Sequence, residues 1–162
     1  MSVAVESVPR GAIHPLHAFL LAGAVPLFLG ALLSDIAYAE SHQIQWSNFA
    51  SWLIAAALLF AGLSLLWALV DLFRADRRGR RAVTYVVLLL ATFVLGFVNS
   101  LVHATDAWAV MPEGIVLSAI AAILVCAAAW IGFSTVRPST VRPSTVRSST
   151  VRPSTVRPGV EA

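Results

Sequence analysis

Histidine is the side chain here best suited to chemistry, and there are four: His14, His17, His42 and His103. A neutral imidazole ligates metals or haem iron, and its proton moves near neutral pH. One set stands out by spacing. Thr92, Gly96, Asn99, His103 and Asp106 follow one another at intervals of 4, 3, 4 and 3 residues, which places them on one stripe of a helix. Together with Asp35 and His42, the His103–Asp106 end of that stripe makes an imidazole–carboxylate set of the kind that takes Zn²⁺, Cu²⁺ or Fe. None of these residues has the strict ligand spacing of a Cys-x-x-Cys pair. Hydrated side chains at the level of lipid headgroups are the plainer and favoured account of the same residues.

Haem b sets a stricter test, since two axial histidines must reach one iron from opposing segments. His14 and His17 share a segment, so neither completes the other's coordination. His103 paired with His14 or His42 is the remaining choice for haem, and the same residues serve a metal or quinone reading. His17 and Asp35 lie eighteen residues apart, which is five helical turns. They share a face but sit about 27 Å apart. Catalytic motifs are missing from the sequence: there is no Gly-rich phosphate loop, no nucleophile elbow and no His-Glu-x-x-His. Two further series, Ala50–Ala57–Ser64–Asp71 and Ser118–Ala122–Cys126–Ala129, read as small-residue seams for close helix packing, the first ending in a carboxylate.

The elements that position these residues are set by composition. Of 162 residues 59% are hydrophobic and only 12% charged, with a mean hydropathy of +0.84. Soluble domains run to about 25% charged residues, so a soluble enzyme, a disulfide scaffold and a nucleic-acid-binding domain are excluded. Residues 11–34, 41–70, 82–105 and 114–136 carry no formal charge. Each run exceeds the roughly 20 residues a helix needs to cross a bilayer, and backbone in lipid must satisfy itself as helix. The prediction is an all-α integral membrane protein, an up-down-up-down bundle within 14–133. Its helices are expected at about 15–38, 48–73, 82–103 and 113–133, after a short N-terminal segment, 1–13. His14-Pro15 reads as a helix start, and Pro26 as a kink within the first helix. Ala37-Tyr38-Ala39 resembles a signal-peptidase site, but the preceding apolar stretch is longer than a signal h-region, so the segment is expected to stay as an anchor.

Charge fixes the expected orientation. Residues 74–81 hold five arginines and one aspartate, whereas the other two connections carry Asp35, Glu40, Asp106 and Glu113 with no base. The positive-inside rule therefore puts the 74–81 loop and both termini in the cytoplasm. From Ser134 to Pro158 five pentads of the type Ser-Thr-Val-Arg-Pro follow. A polar period this short with regular proline reads as a disordered tail over 134–162. Its five arginines attract anionic lipid or are simply the product of an expanded repeat. The one cysteine, Cys126, precludes an internal disulfide.

Ile13-His14-Pro15-Leu16-His17, Ser34-Asp35, the Gly62–Asp71 stretch, and Asn99 with His103 together resemble the bacterial membrane-protein family called domain of unknown function 2231, over residues 12 to 133. Members of that family often carry a second proline at the position of Ala22, where this chain has Pro26 further on. Relatives joined to iron–sulphur or cytochrome-type domains imply an electron-transfer setting. Three functional readings remain. The first is a non-enzymatic accessory or scaffold component, with the lipid bilayer and a membrane-complex partner as contacts. The second is a small electron-transfer subunit binding haem b, metal or quinone, with a redox partner. The third is a transporter or proton path using Asp35, Asp71 and the Thr92–Asp106 stripe.

Overall fold

A computed structural model describes residues 14–74, 79–105 and 110–134. Four helices follow one another: α1 (Pro15–Ser41), α2 (Ile44–Arg74), α3 (Arg80–His103) and α4 (Glu113–Ser134). All four are long and apolar enough to cross a membrane. Each packs against its two neighbours in the ring α1–α2–α3–α4, giving the up-down-up-down bundle expected. The chain is thus an integral, multi-pass all-α membrane protein. One end of the bundle carries Arg74, Arg80 and Arg81, the start of α1 and the end of α4 (the arginine end). The other carries the α1–α2 turn, His103 and Glu113 (the acidic end). The 1–13 segment, Asp106, Trp108 and the pentads beyond Ser134 lie outside the described residues.

Helix starts follow local chemistry. His14 has extended backbone torsions, φ −57° and ψ 134°, as a residue before proline must. Its Nδ1 accepts from the Leu16 N–H at 3.3 Å and caps the helix. That bond uses the lone pair on Nδ1. The first connection is much tighter than the nine-residue loop expected. Tyr38 is buried and α1 runs on to Ser41, His42 turns in the left-handed conformation (φ 55°), and α2 begins at Ile44 with Ser47 buried. The polar run Ser41–Gln45 holds the whole break between the two helices in two residues, His42 and Gln43, and its side chains are exposed. α1 continues helical through Pro26, whose missing N–H leaves the Ala22 carbonyl without its i+4 donor.

Two apolar layers fill the middle. One near the arginine end gathers Leu21, Leu65, Val86, Leu89 and Ala128. The next gathers Ala24, Phe28, Ala57, Ala61, Ala121 and Val125. The α2 seam is buried at Ala50, Ala57 and Ser64 but not at Asp71, which is exposed. It lies less than a turn from the end of α2, where a carboxylate reaches water at little cost. On α4, Ser118, Ala122 and Ala129 face inward while Cys126 is exposed.

Candidate functional site

Asp35, His103, Ser118 and Asn99 meet inside the acidic end. Their exposures are 0%, 8%, 1% and 0%, and they come from α1, α3 and α4. Of the α3 stripe, Thr92, Gly96, Asn99 and His103 are buried, and Asp106 lies outside the described residues. Thr92 is satisfied locally, donating to the Leu88 carbonyl at 2.8 Å. Asn99 and His103 instead reach across the bundle, because residues at i and i+4 point the same way and the facing helices present Asp35 and Ser118.

The bonds close into a ring. His103 Nε2 lies 2.8 Å from Asp35 Oδ1, and His103 Nδ1 lies 3.0 Å from the Asn99 carbonyl. Ser118 Oγ donates to Asp35 Oδ2 at 2.5 Å, and Asn99 Nδ2 donates to Ser118 Oγ at 2.8 Å. Ser118 has one proton, and the carboxylate takes it, so the hydroxyl must accept from the amide. That fixes the Asn99 side chain with Nδ2 toward Ser118 and leaves its Oδ1 buried without a partner.

Proton count follows from the same geometry. Both partners of His103 are acceptors, so each ring nitrogen needs a proton or must face one. Either an imidazolium faces the carboxylate, or a neutral ring donates from Nδ1 while its Nε2 accepts from a carboxylic acid. Both arrangements give the pair zero net charge and one shared proton. Without that proton, one of the two contacts, at 2.8 Å to Asp35 or at 3.0 Å to the Asn99 carbonyl according to the tautomer, would set acceptor against acceptor.

Serine, histidine and aspartate are the residue types of a hydrolase triad, but here their order is wrong for one. In a triad the imidazole lies between the other two and takes the serine proton. Here the carboxylate is central and Ser118 donates to Asp35, so the imidazole is not placed to take the hydroxyl's proton as it does in a triad.

A second cluster occupies the arginine end. His17 is buried, its Nε2 is 2.8 Å from the Tyr85 hydroxyl, and its Nδ1 has no partner. Exposed His14 stacks on Trp67 with ring centroids 4.8 Å apart. The two clusters repeat a geometry. Eighteen residues separate His17 from Asp35 on α1 and Tyr85 from His103 on α3, so both cross-bundle bonds span 68 residues. Gly114 and Gly132 on α4 are eighteen apart as well. A Cβ at Gly114 would lie 2.7 Å from Val110 Cγ1 and 3.1 Å from His103 Cε1, and one at Gly132 2.8 Å from Leu21 Cδ2 and 3.1 Å from Tyr85 Cε2. Each glycine makes room for one of the rings.

The sequence-based site sets are therefore divided by the fold. Asp35 and His103 come together; His42 caps α1 on the exposed turn, lining a surface cavity with Tyr38, Met111 and Ile115. Glu40 is exposed. Among the described residues, no three His, Cys, Asp or Glu side chains form a metal-holding group. His14 and His17 lie at the opposite end from His103 and His42. Ser118, Tyr85, Trp67 and Gly114 were not marked as site residues by the sequence reading. Only Ser118 carried a signal, as the one hydroxyl on the α4 seam.

The chain belongs to the DUF2231 family of predicted membrane proteins, whose model matches residues 13–143. Neither a curated protein nor a solved structure matches it.

Proposed function

We propose that this DUF2231 chain is a non-enzymatic accessory component of a membrane complex, and that its buried polar cluster fastens its own helices together. One observation carries the reading. Both oxygens of Asp35 and both ring nitrogens of His103 are taken up by partners within the bundle. Ligation of haem iron or a metal through His103 Nε2 would break that pair and strand a buried charge, at a cost of several kcal/mol, and ligation through Nδ1 would displace the Asn99 carbonyl. The apolar layers argue against a continuous proton path. Phe28, Leu21, Leu89 and Val125 are fully buried between the two polar clusters, which stand about 27 Å apart along the bundle.

What the bundle offers its surroundings is its side. Phe19, Leu33, Trp52, Leu59, Leu66 and Ile123 are all exposed, and this apolar belt packs against lipid or the helices of a partner chain. The arginine end faces the cytoplasm of a bacterial inner membrane in this reading, because residues 74–81 concentrate five arginines and positive loops stay inside.

The test is spectroscopic. Protein purified in mild detergent from haem-replete cells is expected to be colourless and metal-free, with identical oxidised and dithionite-reduced visible spectra. A Soret band with sharp reduced α and β bands, or stoichiometric metal, would overturn the proposal in favour of electron transfer.

A further inference from the structure

The geometry points to a binding site for one anionic phospholipid at the arginine end, on the outward side of α3 and α4. It does not depend on the accessory role. Two cavities flank Trp130 there. One, of about 280 Å³, is lined by Arg80, Arg81 and Thr84 of α3 and by Trp130, Ile131 and Ser134 of α4. The other, of about 410 Å³, runs between α1 and α4 along Val25, Cys126, Ala129 and Phe133. Trp130 and Ser134 line both.

Their chemistry differs in the order a phospholipid requires. At the helix ends the site is cationic, and neither Arg80 nor Arg81 has an ion-pair partner among the described residues. A guanidinium presents paired N–H donors that match two phosphate oxygens. The hydroxyls take the lesser part, since Thr84 donates to the Arg80 carbonyl and Ser134 to the Ile131 carbonyl. Toward the membrane interior the second cavity is apolar. Cys126 lies eight residues before Ser134 on α4, about 12 Å deeper along the helix, within reach of the first half of an acyl chain. Trp130, which lines both cavities, is 79% exposed, at the level where indole rings settle between headgroups and hydrocarbon.

Charge selects the occupant. Residues 74–81 carry five arginines against Asp76 alone, so a cationic surplus remains even where that acid is paired. The chain after Ser134 next brings Arg137, a like charge. A second copy of the bundle would bring the same arginines. The anionic headgroup of a membrane lipid supplies the missing charge, and its chain fills the apolar cavity. Basic pockets between transmembrane helices hold such headgroups elsewhere.

The full chain in mild detergent is titrated with phosphatidylglycerol, phosphatidylcholine of identical acyl chains, or inorganic phosphate, and binding is read by native mass spectrometry and by the unfolding midpoint. Phosphatidylglycerol is expected to bind and raise the midpoint; phosphatidylcholine and phosphate are not. Arg80→Gln with Arg81→Gln should weaken phosphatidylglycerol roughly thirtyfold, from the worth of two basic residues at a membrane surface. Cys126→Trp, which fills the apolar cavity and leaves both arginines, should also weaken it. Arg142→Gln with Arg147→Gln, an equal loss of charge in the pentads, should leave affinity within about twofold. Equal binding of phosphatidylcholine, stabilisation by phosphate alone, indifference to Cys126→Trp, or an equal loss in the pentad variant would each overturn the site.

Discussion

The two ends of the bundle are built on one plan and finished differently. At each, a residue of α1 meets a residue of α3 across the interior, 68 positions on in sequence, beside a glycine of α4 that gives the ring room. At the acidic end both nitrogens of the histidine are used and a serine closes the ring. At the arginine end His17 makes one bond and its Nδ1 is buried without another. The distinguishing group is the carboxylate. Buried Asp35 makes a hydrogen bond through each of its oxygens, to His103 of α3 and Ser118 of α4, and those helices are held to it. Tyr85 is already neutral and makes no such demand. A shared backbone geometry therefore carries a rigid tie at one end and a looser contact at the other, where the bundle meets its own arginines.

The sharpest way to break this contrast is to remove half of the tie. His103→Leu leaves Asp35 with Ser118 alone, and a stranded buried charge costs about 3–5 kcal/mol. The unfolding midpoint in detergent should fall further for this variant than for any single change at the arginine end. Asp35→Leu with His103→Leu should recover much of that loss, because no charge remains and Ser118 can turn to its own helix at i−4. A double variant as unstable as the single one would show that shape, not charge, holds the three helices.

The glycines test whether the two ends share the same packing. Gly114→Ala and Gly132→Ala each force a Cβ to within 3 Å of a neighbouring side-chain carbon, and overpacking of this kind costs about 1–3 kcal/mol. Similar losses are expected at both ends despite the unequal bonding. If Gly132→Ala were silent, the arginine end would be shown to yield where the acidic end cannot. Ser118→Ala comes next. It removes a donor to Asp35 but leaves the His103 contact, and single cross-helix hydrogen bonds in membranes average only about 0.6 kcal/mol. Its loss should therefore stay near 1 kcal/mol, well short of His103→Leu.

These results also mark where the sequence was readable. Charge-free runs gave four spanning helices, because length and hydropathy are properties of a segment alone. The 4-3-4-3 spacing gave the inward stripe through Asn99 and His103 for the same reason. The five-turn interval from His17 to Asp35 put both on one face of α1, and both are buried. The partners were out of reach. That Asp35 meets His103 rather than His42 depends on α1 and α3 lying diagonally and on α1 continuing three residues past Tyr38. Hydropathy across Ser41–Gln45 conceals that continuation. Ser118 and Cys126 share a seam by spacing, yet one is 1% exposed and the other lies on the outer surface. The eight-residue interval between them is more than two whole turns, and only the packing of α1 and α3 against α4 shows where the seam leaves the interior.

The smallest expected effect bears most directly on the looser end. Tyr85→Phe removes the hydroxyl facing His17 Nε2 and keeps the ring against Gly132. His17 would then have two buried nitrogens without partners instead of one, which by itself argues for a real penalty. Against that, His17 sits within the first turn of α1, where small movements reach the headgroup region and water replaces a lost bond at little cost. The balance favours the second effect, and the expected loss is about 0.5 kcal/mol, read from the same unfolding midpoint. A loss matching that of His103→Leu would mean that His17 and Tyr85 form a sealed tie as strong as the acidic end, and the contrast between the two ends would fail.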